Sequence, residues 1–97
     1  MEIKIKSLKF DADQKLIAYA EKKVAKLEKF HDQVAEVEVI LSLLQEPDNK
    51  NAKLLIHVPG EDFVIEKNAK TFEIAVTDCV DAMKEKLTRA KEKRNEA

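Results

Sequence analysis

A chain of 97 residues, 44% apolar and 38% charged, has enough hydrophobic sequence for one modest core and no material for a second. It is too apolar for a disordered polymer, and a formal net charge of -1 excludes a generic polycation while leaving room for a segregated basic face. The single cysteine, Cys79, excludes an intrachain disulfide and a cysteine-based zinc cluster, so a reducing compartment and no metal or other cofactor are expected.

Ile3 and Ile5 alternate with Lys4 and Lys6, the period of a half-buried strand. Asp13 then suits an N-cap, and Leu16, Ile17, Ala20, Val24 and Leu27 recur at helical spacing, which predicts a helix over about 14 to 30. From Glu36 to Leu44, β-branched residues and alternation of Glu36, Glu38 and Ser42 with Val37, Val39, Leu41 and Leu43 predict a strand. Pro47, Asp48 and Asn49 mark a turn. A third strand follows over Ala52–Val58, a turn at Pro59-Gly60, and a fourth strand over Asp62–Lys67. Thr71 suits the N-cap of a last helix reaching about residue 93, with Phe72, Ala75, Val76, Cys79, Val80, Met83, Leu87 and Ala90 as its apolar stripe.

The order βαβββα, without repeat or linker, predicts an α+β fold. Short turns make the last three strands an antiparallel meander, and a right-handed crossover lays the first strand parallel to the second. Residues 1–97 should thus form one two-layer sandwich, a four-stranded mixed sheet with two helices on one face. The longest apolar run, Val39 to Leu44, is far short of a membrane span, and the first residues have no secretory hydrophobic region. A cytoplasmic protein with no membrane partner is the expectation.

The charges are not scattered. Lys15, Tyr19, Lys22, Lys26 and Lys29 fall on one stripe of the first helix, which Lys23 widens toward the core, while Glu21 and Glu28 lie on the other flank. None of Lys22, Lys26 or Lys29 has an acidic residue four positions before it. In the last helix Lys86, Arg89 and Lys93 line one edge of the apolar stripe and Lys84 and Lys91 the other, with Asp81, Glu85 and Glu92 farthest from the core. If the helices lie side by side, one basic edge faces the lysine ridge across a shallow groove, a candidate polyanion site. Taken alone, the cations of the last helix are also explained by its macrodipole, and lysines on a helix commonly form a solvated face. Tyr19 has two uses, stacking on a base or packing beside lysine stems, and the second is the more frequent arrangement.

Little else points to chemistry. His31 and His57 lack metal-ligand companions, Cys79 lies in an apolar stripe, and one glycine cannot build a phosphate-cradling loop. Ser7 and Ser42 lie in no nucleophile elbow, and Glu36 and Glu38 point the same way from a strand into solvent. No enzyme is expected. The outer sheet face should show Ile40, Leu55 and Val64 among Lys4, Lys6, Glu38, Lys53 and Glu66, a small apolar patch suited to weak self-association or to a partner protein.

The segments YAEKKVAKLEKFHDQVAEVEVIL (Tyr19 to Leu41) and TFEIAVTDCVDAMKEKLTRAKEK (Thr71 to Lys93), in the βαβββα order, resemble the ribosome hibernation promoting factors, the sigma-54 modulation protein family, over nearly the whole chain. The resemblance implies a double-stranded-RNA-binding-domain-like fold and binding to the small ribosomal subunit and its ribosomal RNA. It also implies silencing of translation in slow growth, because the messenger and transfer RNA region is occupied. Matching positions for RNA contact are Lys22, Lys23, Lys26 and Lys29 in the first helix and Lys86, Arg89, Lys91 and Lys93 in the last, with Lys84 and Arg94 as weaker assignments. Thr77 stands where the family often has aspartate, and Glu85 puts an acid among the basic positions. Ending at Ala97, the chain looks like the family's short form. A rival reading is a protein-interaction module using the outer sheet face. An acylphosphatase-like enzyme fits poorly, since that fold has βαββαβ order and an arginine loop, whereas the arginines here are Arg89 and Arg94.

Overall fold

The alternating apolar and charged residues at the N-terminus form β1, Glu2–Leu8, which turns Ile3, Ile5 and Ser7 inward and Glu2, Lys4 and Lys6 outward. The computed structural model describes residues 1–30, 33–45 and 49–96, with side chains through 92, so His31, Pro47, Asp48 and the side chains of Lys93 and Arg94 lie outside the described residues. After β1 the chain bends through Lys9 at φ 64°, a left-handed conformation costing a lysine roughly 1–2 kcal/mol. Phe10 is thereby laid against Phe72, with ring centroids 4.8 Å apart and nearly parallel planes.

Asp13 caps α1, Gln14–Ala25: its Oδ1 accepts the Leu16 N–H at 2.8 Å, an arrangement worth about 1 kcal/mol. Leu16, Ala20 and Val24 are buried as the spacing required. The expected single helix to residue 30 is corrected, because Lys26–Phe30 is a 3-10 turn. At the junction the Lys26 N–H is shared between the carbonyls of Lys23 and Val24, which tightens the winding while still burying Leu27.

The meander is β2, Glu36–Leu43, β3, Lys50–Val58, and β4, Glu61–Ala69. β2 stops one residue before the expected Leu44, whose N–H donates instead to the Asn49 carbonyl at 2.8 Å and closes the turn. β3 and β4 are longer than their hydrophobic patterns indicated. Asn51 and Asn68 resemble turn residues in sequence, yet they extend the ladder through Ser42 Oγ to Asn51 Oδ1 (3.2 Å) and Asn51 Nδ2 to Asn68 Oδ1 (2.5 Å). Gly60 supplies φ 81° in the Pro59-Gly60 hairpin turn, a conformation that favours glycine.

Thr71 Oγ1 accepts the Ile74 N–H at 3.1 Å and starts α2, Phe72–Glu96, three residues longer than expected. The sheet order is β1-β2-β3-β4, with β1 parallel to β2 and the other pairs antiparallel. Both helices pack on one sheet face, enclosing Leu27, Leu41, Leu54, Ile56, Met83 and Leu87 completely. Each such side chain contributes about 1.5–3 kcal/mol by leaving water. This is the α+β sandwich that the element order predicts.

Candidate nucleic-acid interface

Burying Leu16, Ala20, Val24 and Leu27 obliges Lys15, Lys22, Lys26 and Lys29 to face solvent, and all four are exposed. Lys23 is half-buried, with its ammonium 5.5 Å from the Tyr19 ring centroid. Among the described residues none of these five lysines forms an ion pair. The 3-10 winding adds a feature that periodicity did not foretell. Residues three apart eclipse in such a turn, so Lys26 and Lys29 stand in line at the end of the ridge.

The two basic edges of α2 separate because residues two apart are about 200° apart around a helix. Lys84 lies on the edge facing α1: its ammonium is 5.6 Å from the Phe30 ring centroid and 3.8 Å from an Asp81 oxygen. Exposed Lys91 continues that edge two turns on. Lys86 lies on the other edge, where it donates to the Val64 carbonyl of β4 at 3.5 Å, and Arg89 pairs with Glu85 at 2.6 Å. The structure therefore brings Lys84 and Lys91 toward the ridge of α1 and does not bring Lys86 or Arg89 there. Glu85 is the counterion of Arg89 rather than a charge in the groove.

Tyr19 joins the helices, its hydroxyl 2.8 Å from Thr77 Oγ1. Thr77 thus has an interhelical partner, a pairing between residues 58 positions apart that no local pattern signals. Tyr19, Glu73, Ile74, Thr77 and Asp78 line an open hollow at this end of the groove. The groove is polarised, acidic near the start of α2 and basic beyond Thr77.

Elsewhere the titratable groups serve structure. Lys4 pairs with Glu36 at 3.2 Å, which raises the lysine pKa, and Lys6 lies 3.5 Å from Glu38. His57 Nδ1 lies 2.8 Å from Asp62 Oδ1, and this bond raises the imidazole pKa above its ordinary 6.5. Burial pushes the Cys79 thiol up to about 11, so at neutral pH it is a buried S–H donating to the Ala52 carbonyl at 3.2 Å rather than a nucleophile. Among the described residues no His, Cys, Asp and Glu group could hold a metal ion, and no helix is long and apolar enough to cross a membrane. On the outer sheet face Ile40 and Leu55 are half-buried and Val64 is 43% exposed.

Known proteins share this architecture. The chain is similar to the N-terminal domain of Thermus thermophilus Protein Y, with 24% identity, TM-score 0.80, and 92% of this chain and 98% of that one covered. It is also similar to a ribosomal subunit interface protein from Coxiella burnetii, with 16% identity, TM-score 0.86, and 95% and 99% covered. No curated protein sequence matches it. The family model described as sigma 54 modulation protein / S30EA ribosomal protein matches residues 3–95, nearly the whole chain, and to that family this protein belongs.

Proposed function

We propose that residues 1–97 are a single ribosome-binding domain and that the protein is a cytoplasmic ribosome hibernation factor. It binds the small ribosomal subunit through its basic helices and blocks translation by filling space needed by messenger and transfer RNA. The observation that carries this reading is the lysine ridge of α1 and its 3-10 turn, without an ion pair among the described residues and faced by Lys84 and Lys91 of α2. Family membership and the fold shared with a ribosomal subunit interface protein support it.

The chemistry is electrostatic and steric. Lys22, Lys23, Lys26 and Lys29 neutralise ribosomal RNA phosphates and release their condensed counterions, with Lys84 and Lys91 completing the surface. Lys86 and Arg89 form the outward edge and contribute where RNA passes beyond the groove, and Lys93 and Arg94, whose side chains lie outside the described residues, are further RNA contacts in this reading. Tyr19 is committed to Thr77 and to Lys23, so packing rather than base stacking is its part in this reading. The rival reading, a protein-interaction module on the outer sheet face, has less support: Ile40 and Leu55 are half-buried, and ion pairs of Lys4 and Lys6 flank them.

Sucrose-gradient cosedimentation tests the proposal. The wild-type protein should travel with small subunits and be displaced by transfer RNA, whereas the Lys22→Glu/Lys26→Glu double variant should remain at the top with its thermal unfolding nearly unchanged. Undiminished cosedimentation of that variant would remove the site assignment.

A further inference from the structure

The acidic end of the interhelical groove has properties that RNA binding does not use. Ile74 is 49% exposed on α2, among polar neighbours rather than in the core stripe. It shares an open hollow with the Tyr19 ring, Thr77 and the carboxylates of Glu73 and Asp78; Lys23 does not line the hollow, although its ammonium is 5.5 Å from the ring centroid. Farther along the same helix, acids are neutralised locally, Asp81 by Lys84 and Glu85 by Arg89. Glu73 and Asp78 have Thr77 and Ala82 four positions later, and neither carboxylate forms an ion pair among the described residues. The helix macrodipole accounts for Glu73 in the first turn. It does not account for Asp78 or for an exposed isoleucine between the two acids.

We propose that this hollow docks a cationic segment of a partner protein. An apolar side chain of the segment packs on Ile74 and the Tyr19 ring, while its lysine or arginine side chains pair with Glu73 and Asp78. Sign complementarity selects this occupant: the carboxylates repel a phosphate chain, and uncompensated acids beside an apolar surface suit alternating basic and apolar residues. The Tyr19–Thr77 hydroxyl pair, bonded at 2.8 Å, offers remaining donor and acceptor capacity to the segment's backbone. The groove then has two tenants of opposite charge, protein at its acidic end and polyanion at its basic end. The docking site stands without the ribosomal reading, because its binding is measured in the absence of ribosomes.

Fluorescence anisotropy with a fluorescein-labelled peptide of sequence RLKRLKRA, at about physiological ionic strength, tests the proposal on the whole chain. Saturable binding is expected, weakened about three- to fivefold by Ile74→Ser and by Asp78→Asn, as suits one partly exposed contact each. Glu92→Gln, which removes an exposed acid elsewhere on α2, should leave affinity unchanged. Ile74 and Asp78 are exposed, so these variants should fold, which circular dichroism checks. The proposal is overturned by absence of saturable binding, or by an equal loss in Glu92→Gln, which would mark non-specific attraction. It is also overturned if sedimentation velocity shows self-association that Ile74→Ser abolishes, since the occupant would then be a second copy of this chain.

Discussion

Replacing Lys22, Lys26 and Lys29 together by glutamine removes three exposed cations of the ridge and leaves its buried stripe intact. None of the three has an ion-pair partner among the described residues, so each change should move folding stability by no more than about 0.5 kcal/mol. Binding should respond differently. Each phosphate contact contributes about 0.7–0.9 to the slope of log affinity against log salt, so losing three contacts lowers the slope by about 2–3. Over a fourfold rise in salt, from about 50 to about 200 mM, the wild-type protein should lose roughly 20- to 40-fold more affinity than the variant. The assay is equilibrium binding of fluorescently labelled protein to isolated small subunits across that salt range. Lys4→Gln/Lys6→Gln is the control, because these lysines sit on the outer sheet face in pairs with Glu36 and Glu38. An unchanged slope in the triple variant, or an equal fall in the control, would refute the argument that the α1 ridge meets phosphate.

Two further expectations concern titration. The bond from Asp62 raises the His57 pKa in the folded state, so its stabilisation is fully present below pH 6.5 and is lost as pH rises through the folded value. An NMR titration should place the His57 midpoint above 6.5 and return it toward 6.5 in Asp62→Asn; an unmoved midpoint would dismiss the pair. Cys79, buried and held up to about 11, should resist iodoacetamide at pH 8 in the native protein and react once urea unfolds it, and rapid native labelling would contradict its burial.

Much of this architecture was legible because two simple periods run through the chain. Alternation marked Ile3 and Ile5 in β1 and Val37, Val39 and Leu41 in β2, while the Asp13 and Thr71 caps announced the helices through local hydrogen bonding. The lysine ridge was legible for the same reason, since a buried stripe fixes what faces outward. The illegible parts depend on tertiary contact or on small differences in winding. Five residues are too few to tell a period of 3.0 from 3.6, so the 3-10 turn at Lys26 was hidden. Sequence separated Lys84 from Lys86, but which edge meets α1 depends on how α2 lies, and that is seen only in Phe30 under Lys84 and Val64 beside Lys86. The added lengths of β3 and β4 were hidden because the Asn51 and Asn68 amides satisfy one another across the sheet, a contact between residues 17 positions apart.

The parallel pairing of β1 with β2 holds a constant offset of 34 residues, from Glu2 opposite Glu36 to Leu8 opposite Ser42. Closing that span costs about 1.5 kcal/mol more chain entropy than closing the six-residue turn between β2 and β3. The meander and α2 are contiguous and can assemble first, so β1 should dock late, and its amides should exchange with solvent sooner than those of β3. All of α1 and its 3-10 turn lie within the span that β1 closes. The lysine ridge therefore takes its final place only when the edge strand does, and loosening β1 would disarm the surface proposed to meet RNA while most of the sheet still stood.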